Sequence, residues 1–265
     1  MGRKNIRVGL TIGSVDKSIT LGTAIRTRHI TLGVNSPLNN QVDMTEYGNI
    51  LNEVIAQRTP AKQKTGEKEA FNEQAINLIG IGAGQNLQTK DTVYWYIGKV
   101  HSFYQSKFKG EEEQASLWGF NITITQTGGR RNANFNIPYN SPEGLLELAS
   151  DIINKHTTDG VNSILIPAII NMTDFQAKFN QAQTLREDAG DLDAEKQAGN
   201  ELARNLCGYG EGQTSDTPGT LYFFFTKIRD LLLTVNEGNE SQLELWGMKV
   251  VVSETSASDG EQAPQ

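Results

Sequence analysis

The sequence predicts a mainly α protein: two tandem four-helix-bundle-like repeats, each with short terminal β-strands. Three observations predict it. The chain is one unit written twice, since residues 44–85 align without a gap on residues 172–213, 128 residues later. The register holds through Trp118-Gly119 and Trp246-Gly247. Upstream the offset is 127, with His29 to Ser36 matching His156 to Ser163. A repeat sets the architecture, so it is read before anything else. Apolar residues recur at helical spacing through most of each copy, and short period-two stretches stand at the ends of each copy. The repeat divides the chain into residues 1–127 and 128–252, split near Thr127-Gly128-Gly129, followed by an acidic polar tail, 253–265. Each copy has about the modal domain size and is long enough to bury a core of its own.

The elements follow in order. Ile6, Val8, Leu10 and Ile12 alternate and predict a short strand; its counterpart covers 132–139, with Pro138 at its end. Ser141 as cap and Pro142 at the first helical position open a helix with a Leu145, Leu148, Ile152 stripe. The matching stretch of copy 1, residues 14–33, is rich in Thr and Gly, so its helix propensity is poor and the copies are expected to differ there. Asp43 and Asn171 are N-cap candidates, with Glu46 and Asp174 placed for a capping-box-like pairing. The long polar stretches that follow read as a helical hairpin or one long kinked helix, with turns at Thr59-Pro60, Gly66 and Gly190. Gly80 to Gln85 and Gly208 to Gln213 end them. Further helices carry Val93, Ile97, Val100 and Tyr104 in copy 1 and Leu221, Phe225, Ile228 and Leu232 in copy 2, the second starting at Thr217-Pro218. After an acidic turn and the Leu-Trp-Gly motif, Phe120, Ile122 and Ile124 alternate as a strand, matched by residues 248–252. The tail reads as disordered.

Composition bounds the function. Net charge is −7, with 37% hydrophobic and 21% charged residues. That balance argues against nucleic acid, which needs a basic footprint, and against anionic lipid surfaces. No apolar run reaches the ~18 residues of a membrane span. The apolar run at residues 6–12 is too short for a signal segment, so cytoplasmic residence is the default expectation, with a virion or exported assembly left open. The single Cys207, opposite Ile79 in the repeat, reads as a buried hydrophobe.

Each candidate site in the sequence has a packing explanation. The Gly-x-Gly-x-Gly-Gln loops follow helices rather than strands and lack the Lys-Ser/Thr of a phosphate loop, so they read as helix-end turns in which Gln85 and Gln213 bond helix-end carbonyls. Trp118-Gly119 and Trp246-Gly247 read as plugs of the bundle end rather than ligand-stacking rings. His29, His101 and His156 show no metal spacing, and His101 reads as solvated. The acidic clusters at 111–113 and 187–193 lack calcium-loop spacing, and Arg130-Arg131 is too small for a nucleic-acid stripe. No catalytic residue, cofactor or metal site is expected.

Copy 2 carries Ile137-Pro138, Leu145 to Leu148, Asp159-Gly160-Val-Asn-Ser163, Gly208 to Gln213, Thr217-Pro-Gly-Thr220, Arg229-Asp-Leu-Leu-Leu233 and Trp246-Gly-Met-Lys-Val-Val251. This pattern resembles an uncharacterised family of small bacterial helical proteins ending in a Trp-Gly-Phe-x-Val-Val strand. Copy 1 resembles it more weakly, because its Thr-Pro-Gly-Thr and Arg-Asp-Leu motifs are altered. The resemblance implies a fold and no activity.

The resulting expectation is a non-enzymatic structural or assembly protein that associates with itself, forming a homo-oligomer, filament or lattice through terminal strands. The interface candidates are Ile6, Val8, Leu10, Ile12, Trp118, Gly119, Trp246, Gly247, Val250 and Val252. Residues 6–12 of one molecule would pair with 248–252 of another, and removing residues 1–12 should abolish assembly. The second expectation is a ligand- or protein-binding module using the groove between the copies, which a deep apolar pocket near Trp118 or Trp246 would favour.

Overall fold

The computed structural model describes residues 4–127 and 130–254. Gly128-Gly129 and the tail beyond residue 254 lie outside the described residues. The protein is mainly helical with a few short strands. In order these are β1 (Lys4–Gly9), α1 (Val15–Leu32), α2 (Met44–Ile79), α3 (Val93–Lys107), β2 (Asn121–Thr127), β3 (Arg130–Asn136), α4 (Pro142–Asp159), α5 (Met172–Cys207), α6 (Leu221–Val235) and β4 (Lys249–Glu254). The Leu-Trp motifs lie in short 3-10 turns, Glu112–Trp118 and Glu240–Trp246. Helices α1 and α4 both have 18 residues, α2 and α5 both 36, and α3 and α6 both 15.

The chain forms two compact units: Met1–Gln63 with Glu195–Gln265, and Lys64–Ala194. These are a different partition from the 1–127 and 128–252 sequence copies. Each unit joins the first half of one copy to the second half of the other, and the dividing points fall inside α2 and α5. The core of unit 1 shows this directly. Leu21, Ile25, Tyr47, Leu51 and Val54 of copy 1 pack with Cys207, Leu221, Phe225, Ile228, Leu232 and Trp246 of copy 2. In unit 2, Ile79, Ile97, Tyr104, Trp118 and Phe120 of copy 1 pack with Leu145, Ile152 and Phe175 of copy 2.

The strands obey the same exchange. β1 pairs antiparallel with β4, from Lys4↔Glu254 to Gly9↔Lys249, within unit 1. β2 pairs antiparallel with β3, from Asn121↔Asn136 to Thr127↔Arg130, within unit 2. Strands from the two copies are thus joined inside one chain, and the expected pairing of residues 6–12 with 248–252 of another molecule is corrected. β4 also runs two residues into the predicted tail.

Several local expectations are corrected as well. Residues 15–32 are helical despite their Thr and Gly content. Ser14 caps the helix by accepting from Lys17 N, and Asp16 stands in the first turn. Gly22 lets α2 side chains approach closely: a Cβ there would come within 2.8 Å of Leu51 Cδ1. The Tyr47 hydroxyl donates to the Gly22 carbonyl at 2.8 Å. Tertiary contact thus overrides a weak propensity. Of the two alternatives expected for each long polar stretch, a hairpin or one long helix, the structure has the single helix, and the turns expected at Thr59-Pro60, Gly66 and Gly190 are helical instead. Each is held by burial near both ends: Tyr47, Leu51 and Ile79 in α2, and Phe175, Ala182 and Cys207 in α5. Burial of such side chains at ~1.5–3 kcal/mol each offsets a local cost of ~3 kcal/mol for a helical Pro. Helix α6 begins at Leu221, capped by Thr220, rather than at Thr217-Pro218.

The caps predicted for the other helices are present. Asp43 Oδ1 accepts from the amides of Thr45 and Glu46, Asn171 Oδ1 from those of Thr173 and Asp174, and Ser141 Oγ from Gly144 N. In the loop after α2, Gln85 Nε2 donates to the Asn77 carbonyl at 3.1 Å while its Oε1 accepts from Gly82 N at 2.8 Å. Gln213 Oε1 likewise accepts from Gly210 N at 2.7 Å. The loop amides are turned onto the chain's own glutamines, which explains the motif as a helix-end turn.

Candidate functional site

The strand candidates divide by face. Val8 and Val250 are register partners and pack on the unit 1 core, as do Leu10 and Ile12 beyond the end of β1. Ile6 and Val252 are also register partners, but their side chains lie outside the described residues. Val251 points away from the core, 47% exposed, and Ile124 on β2 is 37% exposed.

Trp118 and Trp246 are 3% and 4% exposed and sit in the cores of units 2 and 1. Gly119 and Gly247 follow with φ of 86° and 80°, a left-handed conformation that lets the chain turn from the 3-10 segment toward β2 or β4. The close approach is equally demanding: a Cβ at Gly247 would lie 2.9 Å from Ala24 Cβ, and one at Gly119 would lie 2.6 Å from Asp151 Cβ. Clefts beside the two glycines are lined by Leu21, Thr20 and Lys17 in unit 1 and by Glu147, Asp151 and Asn136 in unit 2. The cleft beside Gly247 has a mainly apolar wall, to which Leu21 and Ala24 contribute, whereas the cleft beside Gly119 is evenly polar and apolar.

His101 is corrected from a solvated position. Its ring is half-buried against Phe120 and Phe135, and Nε2 lies 3.2 Å from the Phe135 carbonyl. Burial lowers its pKa, opposed by that backbone contact. His29 and His156 each place Nδ1 on a serine hydroxyl, Ser36 at 2.7 Å and Ser163 at 2.6 Å, and so fasten the turn after α1 and α4. Cys207 is fully buried, and desolvation raises its thiol to about 11, opposed by Ser18. Among the described residues no group of three His, Cys, Asp or Glu side chains is placed to hold a metal ion.

The most organised polar cluster was not singled out from sequence. In unit 1, Arg58 of α2 grips Asp16 of α1 with two bonds, Nε to Oδ1 at 3.0 Å and Nη2 to Oδ2 at 3.1 Å. Its Nη1 donates to Asn200 Oδ1 of α5 at 2.5 Å. Lys62 adds a second ion pair to Asp16 at 3.0 Å. Unit 2 repeats the node: Arg186 bonds Glu143 of α4 and donates to Asn72 Oδ1 of α2 at 2.8 Å. Each node therefore ties both long helices to the first turn of a shorter one. The signal in the sequence was an Arg and an Asn identical in both copies, with a carboxylate in both first helical turns.

The Arg58 guanidinium holds the Asp16 carboxyl down to about 2, with burial opposing and Lys62 assisting. Because the folded pKa is depressed, this stabilisation is complete above the ordinary carboxylate range and fades as pH falls from about 5 toward 2. Asp16 is 45% exposed, so solvent screening limits the effect to about 1 kcal/mol or less. Arg58→Gln is expected to lower urea-unfolding stability at pH 7 and to flatten its loss between pH 5 and 2. An unchanged acid limb in the variant would remove this ion pair from the account.

The class defined here is a mainly helical double unit, and no described helix is long and apolar enough to cross a membrane. No known protein family, curated protein or solved structure matches the chain.

Proposed function

We propose that the chain is a non-enzymatic structural or assembly protein that associates with copies of itself, built from duplicated four-helix-bundle repeats whose halves are exchanged. One observation carries this reading. Each unit bears a two-stranded sheet, and each described strand pairs with one neighbour only, so its other edge has no strand partner. Such edges accept further strands. Val251 and Ile124 add exposed apolar side chains on those sheets. The polar long helices and the exchanged cores suit a spacer whose role is geometry.

The test is solution mass by light scattering over a concentration series, with negative-stain imaging. Particles larger than the 29.2 kDa chain are expected, weakened by Ile124→Lys with Val251→Lys. A 29.2 kDa monomer at every concentration would overturn the reading. Deleting residues 1–12 is a poorer test than the sequence suggested, because it strips β4 of its partner.

A second reading, a ligand-binding module, is favoured by a cleft of about 440 Å³ in unit 1. It is lined by Asp16 and Arg58 from copy 1 and by Asn200, Arg204 and Tyr209 from copy 2. Its size lies within the range of small-molecule sites.

A further inference from the structure

We infer that the unit 1 cleft binds a small organic anion through a carboxylate or phosphate group held between Arg204 and Arg58. The inference rests on the second reading above and names its ligand class.

The duplicated node supplies the comparison. Both units contain the Arg, the Asn and the first-turn carboxylate. Around them, four positions differ: Lys62, Ser18, Arg204 and Tyr209 of unit 1 stand where unit 2 has Gly190, Leu145, Ile76 and Ile81. Holding the node together does not require those four groups, since unit 2 makes the same Arg–Asn and Arg–carboxylate bonds without them. Three of the four polar replacements bear on the cleft: Arg204 and Tyr209 line it, and the fully buried Ser18 shares a 2.5 Å hydrogen bond with the Tyr209 hydroxyl. That hydroxyl also accepts from Gly13 N at 3.2 Å. The Tyr209 wall is therefore fixed before any ligand arrives, which lowers the ordering cost of binding.

Charge sets the ligand class. The cleft is lined by two guanidinium groups, Arg58 and Arg204, and by one carboxylate, Asp16, which Arg58 and the neighbouring Lys62 already engage. Arg204 makes one long hydrogen bond, 3.5 Å to the Tyr209 carbonyl, and has no carboxylate partner among the described residues. Arg58 uses three of its five N–H donors in the node. Two guanidinium groups with spare donors suit the planar, paired oxygens of a carboxylate or phosphate.

The test follows arginine side-chain Nε–H signals of the full chain by NMR, titrated with citrate, inorganic phosphate and neutral glucose at matched ionic strength. Citrate or phosphate should move the Arg58 and Arg204 signals saturably, while Arg186 of the unit 2 node stays in place. Arg204→Ile, an exposed change to the residue unit 2 uses, should weaken binding about tenfold or more at Arg58 without unfolding the chain. Equal movement of all arginines, or unchanged affinity in Arg204→Ile, would overturn the inference. If glucose alone moves the cleft signals, the anion class is wrong and the ligand-binding reading stands. If none of the three moves them, both fail.

Discussion

Expressed separately, residues 1–127 and 128–265 are expected not to fold as monomers and to regain native helix content when mixed. The reason is the composition of the cores. Copy 1 holds Leu21, Ile25, Tyr47 and Leu51 without Phe225, Ile228 and Trp246, and Trp118 and Phe120 without Leu145 and Phe175. Each isolated copy exposes two half-cores, and each buried side chain left in water forfeits ~1.5–3 kcal/mol. Several such losses exceed the ~5–15 kcal/mol that holds a domain together. A copy alone can bury these surfaces only through repeat-equivalent contacts, either by exchanging halves with a second molecule or by folding its long helix back on itself, which breaks that helix. Circular dichroism of each half, alone and in a one-to-one mixture, with mass measured in parallel, decides the matter. A monomeric copy that unfolds cooperatively by itself would overturn this prediction and show that a long helix can fold back on itself.

Trp246→Ala is expected to cost about 3–5 kcal/mol of unfolding free energy, as for large-to-small changes at buried aromatic sites. Trp246 is 4% exposed and lies in the core with Leu243 and Met248, so truncation opens a cavity and not a surface notch. The backbone has little room to collapse into that cavity, because Gly247 already sits against Ala24 and Leu21. Trp118→Ala should behave alike in unit 2, where the Tyr104 ring packs at a tilt with its centroid 5.2 Å from that of Trp118. Urea denaturation reads the result as a lower midpoint at constant slope. A loss below about 1 kcal/mol would mean that these rings do not close the cores and would reopen a surface role for them.

The candidate site was only partly legible. Trp-Gly was visible because a large ring followed by a glycine has few packing solutions. The arginine nodes were not, although Arg58 and Arg186 are repeat partners 128 residues apart. Their bonds reach Asp16 and Asn200, 42 and 142 residues from Arg58, and no local pattern reports a pairing at that range. His101 departs from its expected solvated position for a related reason: its repeat partner is Arg229, whereas its ring is covered by Phe120, just before β2 of copy 1, and by Phe135 in β3 of copy 2.

By itself the sequence determined the helical class, the caps at Ser141, Asp43 and Asn171, the glutamine-closed helix ends and the two short strands that end copy 1 and begin copy 2. These rest on contacts within a few residues, and local periodicity and capping chemistry report such contacts directly. Tertiary structure alone decided that α2 and α5 run unbroken through Pro60, Gly66 and Gly190, that the Thr-rich stretch becomes α1, and that each core joins halves of different copies. The two copies carry the same apolar stripes, so either pairing of halves satisfies the sequence pattern. The choice lies in the continuity of α2 and α5: a 36-residue helix that does not fold back carries its two ends apart, so each end packs with the other copy.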